Sequence, residues 1–109
     1  MKKKIINALQ KVVNLSKEGA MSCSYTNDLI SFNFSITGEL QLEIKETDNS
    51  ISLSYFNEIT NAPVELRFKA DDIAAIYYFE AGSREECNVP SAMIKFKDGA
   101  ECDLYQDVA

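Results

Sequence analysis

The sequence predicts an α+β protein in which one N-terminal helix packs on a curled antiparallel β-meander of about seven or eight strands. Three observations predict it: a helical period at the start, a period of two after Gly19, and turn residues between the later runs. With 109 residues, 46% of them hydrophobic and 26% charged, the chain suits one globular domain. We therefore expect a single domain over residues 1–109, with the helix at about 3–18 and the sheet at about 20–106.

The helix is predicted by apolar residues that recur at the spacing of helical turns. They lie at positions i, i+1, i+4, i+7 and i+8, and are Ile5, Ile6, Leu9, Val12 and Val13. This spacing gives one apolar stripe with lysine and asparagine opposite it. Burying each side chain is worth ~1.5–3 kcal/mol, so we expect the stripe to cover the apolar face of the sheet. Gly19 is expected to end the helix in a left-handed conformation.

After Gly19, apolar and polar residues alternate as they do in half-buried strands. The apolar members of the successive runs are Met21, Cys23 and Tyr25; Ile30, Phe32, Phe34 and Ile36; Leu40, Leu42 and Ile44; Ile51, Leu53 and Tyr55; and Val64, Leu66 and Phe68. Turn-forming residues separate them at 26–28, 38–39, 47–50 and 61–63. A strand near residues 75–80 follows, and Asp98-Gly99 predicts a final hairpin.

The stretch KADDIAAIYYFE, residues 69–80, places two adjacent carboxylates before the most apolar part of the chain. Asp71 and Asp72 could form a catalytic pair, or one of them could cap a single helical turn that leads into a buried strand. The chain contains no histidine, which removes histidine-based acid–base and nucleophilic catalysis and the commonest transition-metal ligand. We therefore favour the capping interpretation, with Ile73 and Ile76 pointing inward, and expect no enzymatic activity, metal or cofactor.

Carboxylates alone can still support catalysis, because glycosidases need only two acids. The remaining acids are expected in turns or on the solvent-exposed face of strands, and are Asp28, Asp48, Asp98, Glu43 and Glu65. Residues 48–50 carry oxygen ligands but lack the twelve-residue calcium-loop pattern, so we interpret them as a turn.

The three cysteines, Cys23, Cys87 and Cys102, are odd in number and match no zinc spacing. We expect reduced thiols, with a Cys87–Cys102 bridge as the alternative. The N-terminus resembles a lipoprotein signal in its basic start and in the small residue before Cys23. However, Asn7, Gln10 and Lys11 interrupt the apolar segment that such a signal requires. A cytoplasmic location is the expectation.

Charge is unevenly distributed along the chain, whose net charge is −6. Residues 1–18 contain five lysines and one glutamate, whereas the remaining residues contain six basic and sixteen acidic side chains. A body this acidic repels nucleic acid and anionic lipid, although the lysine-rich helix could touch phosphate weakly. The expected charged partner is therefore a basic protein, with no direct nucleic-acid or membrane binding.

Acidic residues with one tyrosine among them form the candidate partner-binding site. Glu101, Asp103, Tyr105 and Asp107 alternate with apolar residues and so share one face of the last strand. The other candidates, in the preceding turn and loop, are Asp98, Glu85 and Glu86. Such a surface suits a protein interface, and Tyr77 and Phe79 would strengthen it if they point outward. The alternative is a solvated last strand whose charges prevent edge-to-edge aggregation.

This small, acidic chain without a catalytic constellation resembles, in general character, the immunity proteins that bacteria make against polymorphic or contact-dependent inhibition toxins. The resemblance implies a tight complex with a basic toxin domain, often a nuclease. A phage-encoded inhibitor that mimics nucleic acid is a variant of the same idea. Two other hypotheses stay open: a small-ligand-binding or enzymatic β-sheet domain with a cavity lined by Tyr25, Tyr55 and Tyr78, and a subunit that assembles through its sheet edges.

Overall fold

One helix and eight strands in two sheets build the computed structural model, which describes residues 2–81 and 89–107. The five-stranded sheet has the order β2-β1-β8-β7-β6 and the three-stranded sheet the order β3-β4-β5, with every pairing antiparallel. The elements are α1 (Lys2–Glu18), β1 (Met21–Thr26), β2 (Ser31–Ile36), β3 (Gln41–Lys45), β4 (Ser50–Asn57), β5 (Ala62–Lys69), β6 (Ile73–Phe79), β7 (Ser91–Phe96) and β8 (Glu101–Gln106). This confirms the predicted helix on antiparallel strands.

Helix α1 packs against both sheets. It contacts β3 of the three-stranded sheet and β6, β7 and β8 of the five-stranded sheet. Its fully buried side chains include Ile5, Leu9 and Val12, and Ile6 lies half-buried at the margin. Ser16 is also buried, and its hydroxyl donates to the Val13 carbonyl and accepts the backbone N–H of Leu40. The apolar stripe therefore joins the two sheets into one core.

The predicted left-handed end of the helix at Gly19 is wrong. The glycine with a positive φ among the described residues is Gly99, at 93°. Instead, a residue of the last strand bonds to the end of the helix: the side-chain amide of Gln106 donates to the Leu15 carbonyl at 3.5 Å. This tertiary contact supplies a donor to a helix-terminal carbonyl that a left-handed cap would otherwise serve.

Three hairpin turns contain a residue in the left-handed region. Asn49 and Asn61 have φ values of 58° and 56°, and Gly99 lies in the β7–β8 turn. Asparagine and glycine tolerate this region best, which explains their placement. The turn predicted at 61–63 in fact ends at Asn61, and Pro63 lies within β5. Proline is tolerated there because β5 is an edge strand.

The stretch 69–80 forms one 3₁₀ turn, Ala70–Asp72, followed by β6. The predicted turn is confirmed, and Ile73 and Ile76 are both 2% exposed. The capping role given to the acids is wrong, because Lys69 occupies the N-cap and makes no side-chain capping bond. Asp71 instead accepts a hydrogen bond from the side-chain amide of Asn49 at 3.0 Å, so it links the turn to the β3–β4 hairpin.

The core contains the inward residues of both sheets as well as the helix. Its largest fully buried members are Ile5, Leu9, Met21, Ile36, Leu40, Ile51, Leu53, Ile73, Ile76, Ile94, Leu104 and Val12. The Cα radius of gyration is 13.5 Å, as expected for a compact chain of this length. No helix in the described part of the chain is long and apolar enough to cross a membrane.

Replacing Leu9 by alanine is expected to destabilise the protein by about 2–5 kcal/mol, because a fully buried side chain leaves a cavity between the sheets. The matched control is Asn7→Ala on the exposed side of the helix. Urea unfolding followed by circular dichroism measures both. Equal midpoints for the two variants would contradict the bridging role of the helix.

Asp48→Asn is expected to reduce stability at neutral pH more than in acid. The Ser50 hydroxyl and backbone N–H donate to the Asp48 carboxylate at 2.7 and 3.1 Å, and this bonding holds the pKa of Asp48 below its ordinary value of 3.8. A lowered folded-state pKa adds stability above the ordinary pKa, and this stability is lost as the pH falls through the folded-state value.

Urea midpoints at about pH 7 and about pH 2 test this linkage. Asp28→Asn is the control, since the structure records no side-chain hydrogen bond for Asp28 among the described residues. A difference between wild type and Asp48→Asn that does not shrink in acid would contradict the prediction.

Candidate functional site

The candidate site is the outer face of the five-stranded sheet, the face directed away from the core. Antiparallel register aligns alternate residues of neighbouring strands on this face; one row runs from Tyr77 through Met93 and Asp103 to Ser24. The next row contains Ala75, Lys95, Glu101 and Thr26, and the row beyond contains Phe79, Ser91, Tyr105 and Ser22. Side chains of successive residues alternate between faces, so these rows lie opposite the buried Ile94 and Leu104.

Aromatic and acidic side chains are gathered on the β6-β7-β8 half of this face. Tyr77 is 43% exposed, and its ring stacks on Phe79 with centroids 6.3 Å apart. Met93 lies between Tyr77 and Asp103 in the register. We name this surface the aromatic–acidic patch and define it as Tyr77, Phe79, Met93, Glu101, Asp103 and Tyr105.

Three of the predicted partner-binding residues lie together in this patch. Glu101, Asp103 and Tyr105 are half-buried on the outer face of β8. Asp107 follows them at the end of the strand, where it is exposed and accepts a hydrogen bond from the Ser22 hydroxyl at 2.5 Å. The single cation in the patch's rows, Lys95, lies 3.7 Å from the Glu101 carboxylate.

The other predicted residues are not brought into the patch. Asp98 lies in the β7–β8 turn, before the first residue of β8, and accepts the backbone N–H of Ala100 at 2.9 Å. It lines a cleft between the sheets with Tyr25, Phe68 and Phe96. Glu85 and Glu86 lie outside the described residues.

The alternative explanation for the acids of β8 fails on topology. An edge strand needs charge to prevent pairing with another chain. However, β8 lies between β1 and β7 in the middle of the sheet. Its outward carboxylates therefore protect no edge.

The outer face of the three-stranded sheet differs sharply in composition. Its residues, aligned by the register, are Gln41, Glu43, Lys45, Ser50, Ser52, Ser54, Phe56, Pro63, Glu65, Arg67 and Lys69. The Arg67 guanidinium pairs with Glu65 at 2.9 Å, and Lys45 lies 4.0 Å from Glu43. Its one aromatic residue, Phe56, lies opposite Pro63 at the end of β4, and its acids are balanced by cations, as expected for a surface that faces water.

The inner side of β8 contains a pair of buried thiols. The sulfurs of Cys23 and Cys102 lie 3.5 Å apart, and both cysteines are free. The hydrogen bond with Cys102 and burial together raise the pKa of the Cys23 thiol above its ordinary value. The expected reduced state holds for this pair, whereas Cys87, the partner in the alternative bridge, lies outside the described residues.

The tyrosines expected to line one cavity line three different clefts. Tyr55 borders a cleft of about 480 Å³, Tyr25 one of about 460 Å³ and Tyr78 one of about 490 Å³. Lys11 lies over the Tyr78 ring, 4.9 Å from its centroid. Burial and the nearby Glu80 and Glu18 carboxylates raise the pKa of Tyr78. Within residues 2–81 and 89–107, no three cysteine or carboxylate side chains are grouped closely enough to hold a metal ion.

Sequence reasoning missed Met93 and Lys95 as members of the outer face. The alternation within SAMIKF, residues 91–96, places Ser91, Met93 and Lys95 on one face. That signal was present in the sequence. Their position beside the acids of β8 depends on the register of the β7–β8 hairpin, which the structure supplies.

Comparisons with protein-family models, with curated proteins and with solved structures find no significant match to this chain.

In a Cys87→Ser variant, the two remaining thiols are expected to resist alkylation until the protein unfolds. Cys23 and Cys102 are 0% and 7% exposed, so burial keeps the reagent from both sulfurs, and the raised pKa of Cys23 further limits its thiolate. Mass spectrometry after iodoacetamide treatment should show two adducts only in denaturant. Adding Thr37→Cys, an exposed position, provides the control for rapid labelling, and rapid labelling of all three thiols in the folded state would contradict the burial.

Proposed function

We propose that this chain is a small acidic binding protein that neutralises a basic protein partner through the aromatic–acidic patch. This proposal rests on the alignment of Tyr77, Met93 and Asp103 across three neighbouring strands. Aromatic residues and methionine are enriched at protein interfaces, where they provide large contact areas. The chain performs no chemistry of its own in this proposal.

The charges around the patch favour a basic partner. Glu101 and Asp103 lie on the outer side of β8, Asp107 follows the end of that strand, and Lys95 lies beside Glu101 on the neighbouring strand. The net charge of −6 adds a long-range attraction for a cationic surface. Such complementarity accelerates encounter and excludes acidic partners.

The partner class that fits these features is a toxin domain, so we propose that the chain acts as a bacterial immunity protein in the cytoplasm. The chain would neutralise the toxin by binding stably over the toxin's active site or substrate groove. An outer face with aromatic side chains and carboxylates suits a nuclease, whose substrate groove is cationic because it binds phosphates. The general character of the chain supports the same class.

Reversing two charges in the patch, Glu101→Lys with Asp103→Lys, is expected to weaken the complex roughly a hundredfold, since disrupting close charge pairs at an interface costs about 2–5 kcal/mol. Tagged protein would capture its partner from a lysate of the producing bacterium at low and at high salt. Mass spectrometry would then identify the partner, and calorimetry would measure its affinity for each variant.

The matched control is Glu43→Lys with Glu65→Lys, which changes the net charge equally on the outer face of the three-stranded sheet. It should leave affinity within about threefold, since charges outside the contact contribute mainly to the association rate. The isolated partner should arrest bacterial growth, and this chain should relieve the arrest. Equal losses from both double variants, or a captured partner without toxicity, would refute the proposal.

A further inference from the structure

Strand β2 is an edge strand that lacks the usual protection against pairing with another chain. Its sequence, SFNFSI, contains no charge and no proline, although natural edge strands use both to prevent association. The edge strands of the other sheet carry charges, with Glu43 and Lys45 on β3 and Arg67 on β5. The remaining edge strand, β6, has an irregularity in its register between Ile73 and Ala75.

The hydrogen bonds of the β1–β2 hairpin determine which backbone groups of β2 point outward. The backbone N–H of Asn27 donates to the Ile30 carbonyl at 2.9 Å, and bonded pairs alternate along an antiparallel ladder. Ile30, Phe32, Phe34 and Ile36 therefore bond to the β1 side. Alternate residues Ser31, Asn33 and Ser35 direct their N–H and carbonyl groups away from the sheet.

One of these outward-directed backbone groups already has a hydrogen-bond partner within the chain. The Tyr55 hydroxyl donates to the Ser35 carbonyl at 3.0 Å. In the described part of the chain, no hydrogen bond is recorded for the outward N–H and carbonyl groups of Ser31 and Asn33. These two residues therefore offer two donors and two acceptors at the edge.

Exposed apolar side chains lie on the same hairpin. Leu29, Ile30 and Phe32 are 91%, 55% and 46% exposed. Phe32 contacts the rings of Tyr25 and Phe34, with centroids 5.4 and 6.2 Å away. One side of the open edge is therefore apolar and aromatic, as the surface of a protein contact often is.

We propose that β2 pairs antiparallel with β2 of a second copy of this chain, about a two-fold axis at Phe32. In this register Ser31 lies opposite Asn33 of the second copy, and both residues exchange their N–H and carbonyl groups. The symmetric pair does the same, so all the open groups of Ser31 and Asn33 are bonded. Phe32 then contacts its own counterpart, and Ile30 lies opposite Phe34 of the second copy.

The bonding of Ser35 selects this register over its neighbour. An axis at Asn33 would place Ser31 opposite Ser35, whose carbonyl already accepts the Tyr55 hydroxyl. The axis at Phe32 leaves that hydrogen bond undisturbed. It also gives a self-complementary contact in which the same surface is used on both copies.

The absence of charge on β2 allows a second copy to be the occupant, and the register about Phe32 is self-complementary for an identical strand. The chain has a net charge of −6, so two copies repel each other where their acidic surfaces meet. Strand β2 has no charge, which makes it a surface where two copies can meet without repulsion. Asp28, at the adjacent turn, would lie opposite Ile36 of the second copy and away from its own counterpart.

Sedimentation equilibrium over about 5–500 μM tests the dimer, because a contact limited to one strand pair and a few apolar side chains is small and associates weakly. We expect a mass that rises from one copy to two. Asn33→Pro removes only an outward donor and should weaken association about tenfold or more, since each copy loses one hydrogen bond. Asn33→Ala keeps the backbone donor and should associate as wild type does.

Cross-linking tests the register independently of affinity. In the Cys87→Ser background, Phe32→Cys should form an intermolecular disulfide on mild oxidation, because directly opposed residues in a non-hydrogen-bonded pair have Cα atoms about 4.5 Å apart. Phe56→Cys is the control, since Phe56 is 52% exposed on another strand. Circular dichroism confirms that each variant is folded.

A mass of one copy throughout the concentration range would overturn the proposal, as would a dimer unaffected by Asn33→Pro. Equal cross-linking at positions 32 and 56 would also overturn it. If β2 instead pairs with a strand of another protein, the chain alone stays monomeric and the proposal fails. The patch variants at Glu101 and Asp103 should not change this self-association, so failure of the dimer and failure of the proposed function are distinguishable.

Discussion

The contact of helix α1 with both sheets is the interaction on which the rest of the structure depends. Each sheet has only one apolar face, and the shared core forms because Ile5, Leu9 and Val12 lie between them. The helix also carries much of the chain's positive charge, and Lys2 pairs with Glu46 of the β3–β4 turn at 2.8 Å. The outer face of the five-stranded sheet is negatively charged, since Glu101 and Asp103 lie there with Lys95 as their one neighbouring cation.

The two outer faces show how one fold presents surfaces of different kinds. Small serines line the centre of the three-stranded sheet's face, and the charged side chains beside them pair within their own strands, Lys45 with Glu43 on β3 and Arg67 with Glu65 on β5. The five-stranded sheet has large residues on the outer side of β6 and β7, with carboxylates beside them. This grouping of aromatic residues and carboxylates is the feature on which the proposed interface rests.

Local pattern was sufficient to predict the helix, all eight strands and the grouping of Glu101, Asp103 and Tyr105, because alternation fixes the face of a strand. It could not predict the pairing of β1 with β8 or the contact of Cys23 with Cys102, since these depend on residues distant in sequence. The prediction of a left-handed helix end at Gly19 was wrong for the same reason, because Gln106, distant in sequence, donates to the Leu15 carbonyl at the end of the helix. The unprotected edge at β2 became visible only when strand order was known.

The pairing of β1 with β8 has a consequence for how the protein matures. Of the eight strands, β1 is made first and β8 last, and the five-stranded sheet cannot close until both are present. During synthesis, the side of β1 that pairs with β8 stays unpaired until β8 has been made. Because pairing between segments distant in sequence is slow to form, the five-stranded sheet is expected to close later than its local hairpins.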